Sequence, residues 1–273
     1  MIAGVRTVGT ILETIIQTKR QEVEAAKQAR PSVDLEAAAA RAGTPRDFYG
    51  AVTRKGIGVH LIAEIKKSSP SAGLIRADFD PVAIAQAYEA GGAAALSVLT
   101  DRTYFGGELS FIEIIKRAVS LPVLRKDFIV DDYQVVESRA AGADAILLIA
   151  EVLSPGQVDA FSRRAAALGM ASLIEVHDRS RLQAIRNLLS PDRQTLLGIN
   201  NRDLRLQRID LETTRRLAET LPEGLPFVAE SGIRTREDVR TLADVGATAL
   251  LIGETFMRAD DIAAKVRELM ASG

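Results

Sequence analysis

From about Leu61 onward the chain alternates between short apolar runs and longer amphipathic segments. The runs are "HLIAEI", "AAALSVL", "LPVLRK", "DAILLIA", "ASLIEV", "TLLGIN", "LPFVAE" and "ATALLIG". Each is followed by an amphipathic stretch, beginning near Pro81, Ser110, Asp131, Ser154, Asp178, Asp210, Thr235 and Asp260. The runs are almost continuous in apolar residues, as befits strands covered by helices. Short strands alternating with helical patterns predict βαβ units and a parallel sheet. Eight such pairs are the number that closes a (β/α)8 TIM barrel, which is the predicted fold. An open doubly wound sheet is the alternative, and it usually carries a glycine-rich turn after its first strand. Here the first strand runs into "KKSSPSAG" instead.

Local punctuation agrees with the alternation. In "SPGQ", Ser154 suits an N-cap with Pro155 at the first helical position, and "TRED" pairs Thr235 with Asp238 three residues on. The segments "EAGGAAAL", "AAGADAIL" and "DVGATALL" each place a glycine before alanine just ahead of a strand. Glycine there suits the left-handed conformation that ends a helix. The first ~55 residues fall outside this repeat, within the range of helical additions that α/β barrels carry. "ILETIIQTKRQEVEAAKQ" spaces Ile11, Ile15, Ile16 and Val23 as one face of a helix, and "DLEAAAARA" reads as a second, shorter helix. They are expected to cap the barrel floor or rim, or else to cover a substrate. One domain spanning 1–273 is expected, with about 1–55 as an N-terminal helical extension.

Composition narrows the chemistry. Apolar residues make up 47% of the 273, and 35 basic residues balance 36 acidic ones to a net charge of −1. No basic field of the kind that binds nucleic acid follows from that balance. The chain has no cysteine, which removes disulfides, a thiol nucleophile and thiolate metal ligands. Two histidines, His60 and His177, are too few for a histidine-rich metal site. No apolar stretch is long enough to span a membrane and no signal-like segment opens the chain, so a cytoplasmic protein is expected.

Strand parity then selects candidate side chains. In "HLIAEIKKSSP", Ala63 and Ile65 would face the helices, which turns Glu64 and Lys66 into the barrel mouth. The same count brings Lys126 inward above Leu124, Glu175 above Leu173, Asn200 above Gly198, and Glu230 above Val228. Any one of these is readily a solvated strand end. Together they sit at the C-terminal ends of strands, where barrel enzymes build active sites. Inward charges in a narrow mouth are costly unless paired or used. The chemistry on offer is acid–base, with lysines sharpened by nearby cations and carboxylates by a partly dry site. A Schiff base on lysine is the other use of these residues. Lys67 has the opposite parity and is expected to matter little.

Two further groups of candidates lie in the loops. After strands seven and eight, "ESGIRTRED" and "IGETFM" bring Ser231, Gly232, Gly253 and Glu254 to the usual phosphate position, with a following helix N-terminus adding its dipole. Glu254 is expected to use its backbone and turn its carboxylate away. Ser69, after the first strand, adds a hydroxyl. Phe105 and Phe128 follow strands two and three, where they pack in the core or form a slot for a planar ring. Arg202 suits a bidentate contact to a carboxylate, or a pairing with Asp203.

In order along the chain, "ILETIIQTKRQEV", "IAEIKKSSPS", "LSVLTDRTYFGG", "VLRKDFIVDDYQV", "LIEVH", "GINNRDL", "AESGI" and "LIGE" resemble the indole-3-glycerol phosphate synthase family of tryptophan biosynthesis. The resemblance implies a carboxy-lyase. It closes, decarboxylates and dehydrates 1-(2-carboxyphenylamino)-1-deoxyribulose 5-phosphate to indole-3-glycerol phosphate, CO₂ and water. No metal and no organic cofactor are implied, and the expected partner is only the phosphorylated small molecule. A monomer, or at most a weak dimer, is expected. By the same resemblance, Lys126 is the general acid of ring closure and Glu175 the acid–base group of dehydration. Lys66 contacts substrate and donates a proton in the second half, although the residues themselves do not decide which lysine acts when. Glu64 and Asn200 position substrate and lysines, and Glu230 and Ser231 match the seventh-strand motif. Ser69, Gly232, Gly253 and Glu254 match the phosphate grip, and Arg202, Phe105 and Phe128 the anthranilate pocket. The chain departs from some members at Ser68, where they carry a base, at Glu254, where they carry serine, and in having no tryptophan. Two rivals bear on the reading. A phosphoribosylanthranilate isomerase would want a thiol or comparable acid with an aspartate base, and a non-catalytic phosphate-binding barrel would need no Lys126/Glu175 pair.

Overall fold

The computed structural model describes residues 10–56, 58–203 and 208–271. Its frame is eight parallel strands: β1 (His60–Ile65), β2 (Ala95–Leu99), β3 (Val123–Lys126), β4 (Ala145–Ile149), β5 (Ala171–Val176), β6 (Thr195–Asn200), β7 (Phe227–Glu230) and β8 (Ala249–Ile252). They close into a barrel in sequential order, with β1 paired to both β2 and β8. The helices are α1 (Ile11–Ala29), α2 (Ser32–Arg41), α3 (Phe48–Thr53), α4 (Pro81–Gly91), α5 (Arg102–Phe105), α6 (Ser110–Ala118), α7 (Asp132–Ala140), α8 (Pro155–Ala167), α9 (Arg179–Ile185), α10 (Glu212–Ala218), α11 (Arg236–Asp244), α12 (Glu254–Met257) and α13 (Ile262–Met270). A short hairpin, Ser68–Ser69 with Gly73–Leu74, follows β1. The closed ring excludes the open sheet.

The helix boundaries have the expected causes. Ser154 and Thr235 each form a reciprocal capping box, with Gln157 and Asp238. Gly92, Gly142 and Gly246 take φ of 94°, 91° and 94°, so a left-handed glycine ends each of these three helices.

Two apolar layers meet at the sheet. Ala63, Ile65, Ile174 and Ala229 face the helices, whereas Ile62, Leu124, Leu173, Val228 and Leu251 fill the barrel. This is the parity that turns Glu64, Lys126, Glu175 and Glu230 toward the mouth.

The N-terminal extension is divided between three surfaces. Helix α1 starts from a Thr10–Glu13 capping box and buries Leu12, Ile15, Lys19 and Val23 along one stripe. Its first turns bring Ile11, Leu12 and Ile15 to the cavity in the barrel mouth. Helix α2 buries Leu35 and Ala39 against Tyr133 and Val136 of α7. Helix α3, which the hydrophobic pattern does not single out, packs Phe48 and Val52 against Ile62, Ala95 and Ala249. Floor and mouth are thus both covered, by different helices.

Candidate active site

The mouth of the barrel holds a cavity of about 640 Å³, lined from every side by strand-end residues. Lys126 is one of them. Strands β3 and β7 lie opposite each other in the ring, and the Lys126 ammonium reaches across to Glu230 at 2.7 Å while holding Glu175 of β5 at 3.0 Å. At the end of β1, Glu64 is paired with Lys66, the residue just past the strand. Asn200 neighbours Glu230 on adjacent strands, and its Oδ1 accepts from the Arg202 backbone N–H at 2.9 Å. Parity therefore brings all six inward groups into one cavity.

Two glycines make room for these carboxylates. A Cβ on Gly198 would sit 2.4 Å from Glu230 Oε1, and one on Gly253 would sit 2.5 Å from Glu64 Oε1. Any side chain at either position would displace a charged group of the site.

The electrostatics differ from the expectation of paired cations. Burial opposes the charge on Lys126, but Glu175, Glu230 and Glu64 together outweigh it and hold the ammonium above its ordinary range. The sequence shows that charged residues share the mouth but not which ones touch, and the nearest neighbours of Lys126 turn out to be carboxyl groups. Among the carboxylates, burial raises Glu175, but the charge of Lys126 and hydrogen bonds from Asn200 and Lys126 bring it below its usual value. Glu230 is pushed up to about 8, by burial first and by repulsion from Glu175, with Lys126 acting against both. Its Oε1 is buried and has no hydrogen-bond partner among the described residues. The two acids are thus driven apart, one ionised and one protonated near neutrality. Behind them Glu151 is also pushed up, to about 7, by burial and by Glu175.

The loops divide the cavity into a phosphate-like end and an aromatic end. Ser231, Gly232, Gly253, Glu254 and Ser69 line it from β7, β8 and β1, three neighbouring strands. Ser231 has φ of 69°, a left-handed backbone rare for serine, and Gly232 follows at 83°. Such a pair turns successive N–H groups toward one point. Helix α12 has a single turn, so β8 supplies a few free N–H groups rather than a long dipole. Glu254 spends its carboxylate on Arg258 at 3.0 Å, one turn along. Arg234 and Arg258 also line the cavity. Sequence reasoning passed over both, although the four-residue spacing of Glu254 and Arg258 is a usable signal.

At the other end, Phe105 and Phe128 lie with ring centroids 6.1 Å apart and planes tilted by 41°. A ring held between them would need facing planes about 7 Å apart, twice a stacking distance. They make one continuous wall rather than the two sides of a slot. The opposing apolar surface comes from Ile11, Leu12 and Ile15 of α1, which sequence alone left between cap and cover. Arg202 bonds Ser71 Oγ at 3.2 Å across the entrance. Lys67 is exposed and does not line the cavity.

Comparisons with known proteins agree with this geometry. The fold is shared at low identity with a 3-hexulose-6-phosphate synthase (TM-score 0.61, 18% identity, 77% of this chain and 98% of that one). It is also shared with a tryptophan synthase α-subunit from Pyrococcus furiosus (TM-score 0.57, 16% identity, 79% and 99%). At sequence level the chain is 49% identical to the indole-3-glycerol phosphate synthase of Dechloromonas aromatica, over 96% of this chain and 99% of that protein. The enzyme of the same name from Rhodopirellula baltica is 47% identical over 96% and 100%, and that of Neisseria gonorrhoeae 49% identical over 95% and 98%. The family model for indole-3-glycerol phosphate synthase matches residues 12–269. The chain belongs to the indole-3-glycerol phosphate synthase family.

Proposed function

We propose that Lys126 delivers the proton that closes the indole ring, and that Glu175 completes the reaction by removing one. The observation that carries this reading is the Lys126 ammonium, held at 3.0 Å from Glu175 and 2.7 Å from Glu230 in the lining of the cavity. The family reaction consumes 1-(2-carboxyphenylamino)-1-deoxyribulose 5-phosphate. Ring closure joins the ring carbon bearing the carboxylate to the ribulose carbonyl carbon, and the carbonyl oxygen gains negative charge as the bond forms. That developing alkoxide is more basic than an amine, so even an ammonium with a raised pKa gives up its proton to it. Keeping Lys126 charged at every working pH therefore suits an acid whose target becomes strongly basic only in the transition state.

Loss of CO₂ then restores the aromatic ring and leaves a hydroxyl beside a CH₂ group. Dehydration needs a proton for the departing hydroxyl and a base for the CH₂. Lys66, oriented by Glu64, supplies the first. Glu175, held ionised, takes the second. Glu230, protonated near neutrality, donates a hydrogen bond within the site. Ser231, Gly232, Gly253 and Ser69 hold the phosphate, aided by the charge of Arg234 and Arg258. The Phe105–Phe128 wall and α1 enclose the aromatic end, and Arg202 meets the substrate at the entrance.

The test is direct. Purified protein is mixed with the substrate and indole product is followed by ultraviolet absorbance. Wild-type turnover is expected, with Lys126→Ala slower by about 10²–10⁴-fold, the usual contribution of a positioned acid. A Lys126→Ala rate near wild type would remove the assignment.

A further inference from the structure

Lys19 is a lysine on an amphipathic helix, yet it is only 4% exposed. Its ammonium lies 2.9 Å from Asp101, 3.0 Å from Asp127 and 2.7 Å from Glu22. Asp101 and Asp127 are themselves buried. Each ties Lys19 to a wall of the active site. Asp101 caps α5, accepting from the Tyr104 N–H at 2.7 Å, and α5 ends at Phe105. Asp127 stands between Lys126 and Phe128, and its Oδ1 accepts from the Phe128 N–H at 2.8 Å. Its other oxygen takes Thr100 at 2.6 Å and Arg125 at 3.0 Å, and Arg125 in turn meets Glu137 at 2.9 Å. Lys19 itself lies one helical turn beyond Ile15, which lines the cavity with Ile11 and Leu12. Two lighter bonds run alongside: Thr18 Oγ1 to the Tyr104 hydroxyl at 2.8 Å, and Thr103 to Glu22 at 3.1 Å.

We propose that Lys19 is a positioning residue that latches α1 to the aromatic end of the active site. One buried cation fixes the lid helix, the Phe105 turn and the backbone on either side of Lys126 relative to one another. It touches neither the phosphate loops nor the reacting atoms. Its loss should therefore loosen the grip on the aromatic half of the substrate and spare the grip on phosphate. A residue that only supported the fold would weaken both. This inference rests on the reading of the cavity as the site of ring closure, and wild-type turnover tests that reading separately.

Lys19→Met keeps an unbranched side chain one atom shorter and removes its charge. It leaves Asp101 and Asp127 facing each other in a dry site, which is costly on its own. In the double variant Lys19→Met/Asp101→Asn, one cation and one carboxylate leave together, and asparagine still caps α5. Steady-state constants for the substrate and the inhibition constant of inorganic phosphate are measured for wild type and both variants, with thermal melts alongside. The expected result in the double variant is a KM for substrate raised about tenfold and a kcat lowered, with the phosphate constant within about twofold. Equal changes in the two constants would show a purely structural role and overturn the proposal. So would no change in either.

Discussion

The two ends of this barrel each carry a buried cluster of opposite charges, but the clusters are built differently. At the floor, Asp144 accepts from the Arg46 N–H at 2.7 Å and the Val123 N–H at 2.8 Å, and pairs with Lys116. The Arg46 guanidinium donates to the carbonyls of Lys116, Val119 and Leu121 at 2.7, 2.8 and 2.8 Å. Each of these charges has a counter-charge or a fan of carbonyls, and the group clamps the N-terminal extension to the strand starts. At the mouth, one ammonium serves two buried carboxylates, one carboxylate oxygen has no donor, and one acid sits well above its ordinary range. A satisfied cluster holds chain together. An unsatisfied one facing a cavity suits the proton transfer proposed for it and leaves room for a ligand to complete it.

Substitutions at the two ends should therefore fail in different ways. After Lys126→Ala, the largest effect is expected from Glu175→Gln, which should lower kcat by about 10²–10³-fold while the thermal melt changes little. Asp144→Asn at the floor should do the reverse. Loss of the counter-charge of Lys116 should cost about 3 kcal/mol in denaturant unfolding, with kcat near wild type. A floor variant that lost activity at full stability would break the comparison.

A smaller effect should appear as pH dependence. Below its ordinary value of 4.5, Glu230 holds its proton in both folded and unfolded chains. Between 4.5 and about 8 the unfolded chain releases that proton first, so folding becomes less favourable as pH rises through this window. Glu230→Gln should remove that slope, and its melting temperature should gain on wild type as pH rises toward 8. The smallest effect is expected from Lys67→Ala, which should leave turnover within about twofold, as an exposed surface change usually does. Lys66→Ala, one residue away and facing the mouth, should cost far more. Equal losses in the two would mean that the register of β1 is wrong.

The fold and the gathering of charged side chains at the mouth were legible because both follow from periodicity. Eight apolar runs separated by capped amphipathic segments leave few architectures open, and Ser154–Gln157 and Thr235–Asp238 mark helix starts in the chain itself. Once strands are placed, parity alone sends Lys126, Glu175 and Glu230 to one mouth. What periodicity does not carry is which side chains meet after they arrive. Strand parity puts two lysines and three carboxylates together without saying which touch, and Lys126 lies between Glu175 and Glu230. Phe105 and Phe128 sit beyond the regular strands, where no alternation fixes ring orientation, and they form one wall instead of a slot. Lys19 looks like any solvent-facing lysine, because its partners Asp101 and Asp127 are more than a hundred residues downstream in part and unremarkable in pattern. Short helix α3 has too few turns for its period to show.

The central claim is that Lys126 acts at ring closure and Glu175 after it. Single-turnover release of CO₂ separates the two, because decarboxylation follows ring closure and precedes loss of water. In Lys126→Ala the release of CO₂ should collapse together with indole formation. In Glu175→Gln, CO₂ should still be released while the ring-closed hydroxy intermediate accumulates. Release of CO₂ by Lys126→Ala at the wild-type rate would contradict the account.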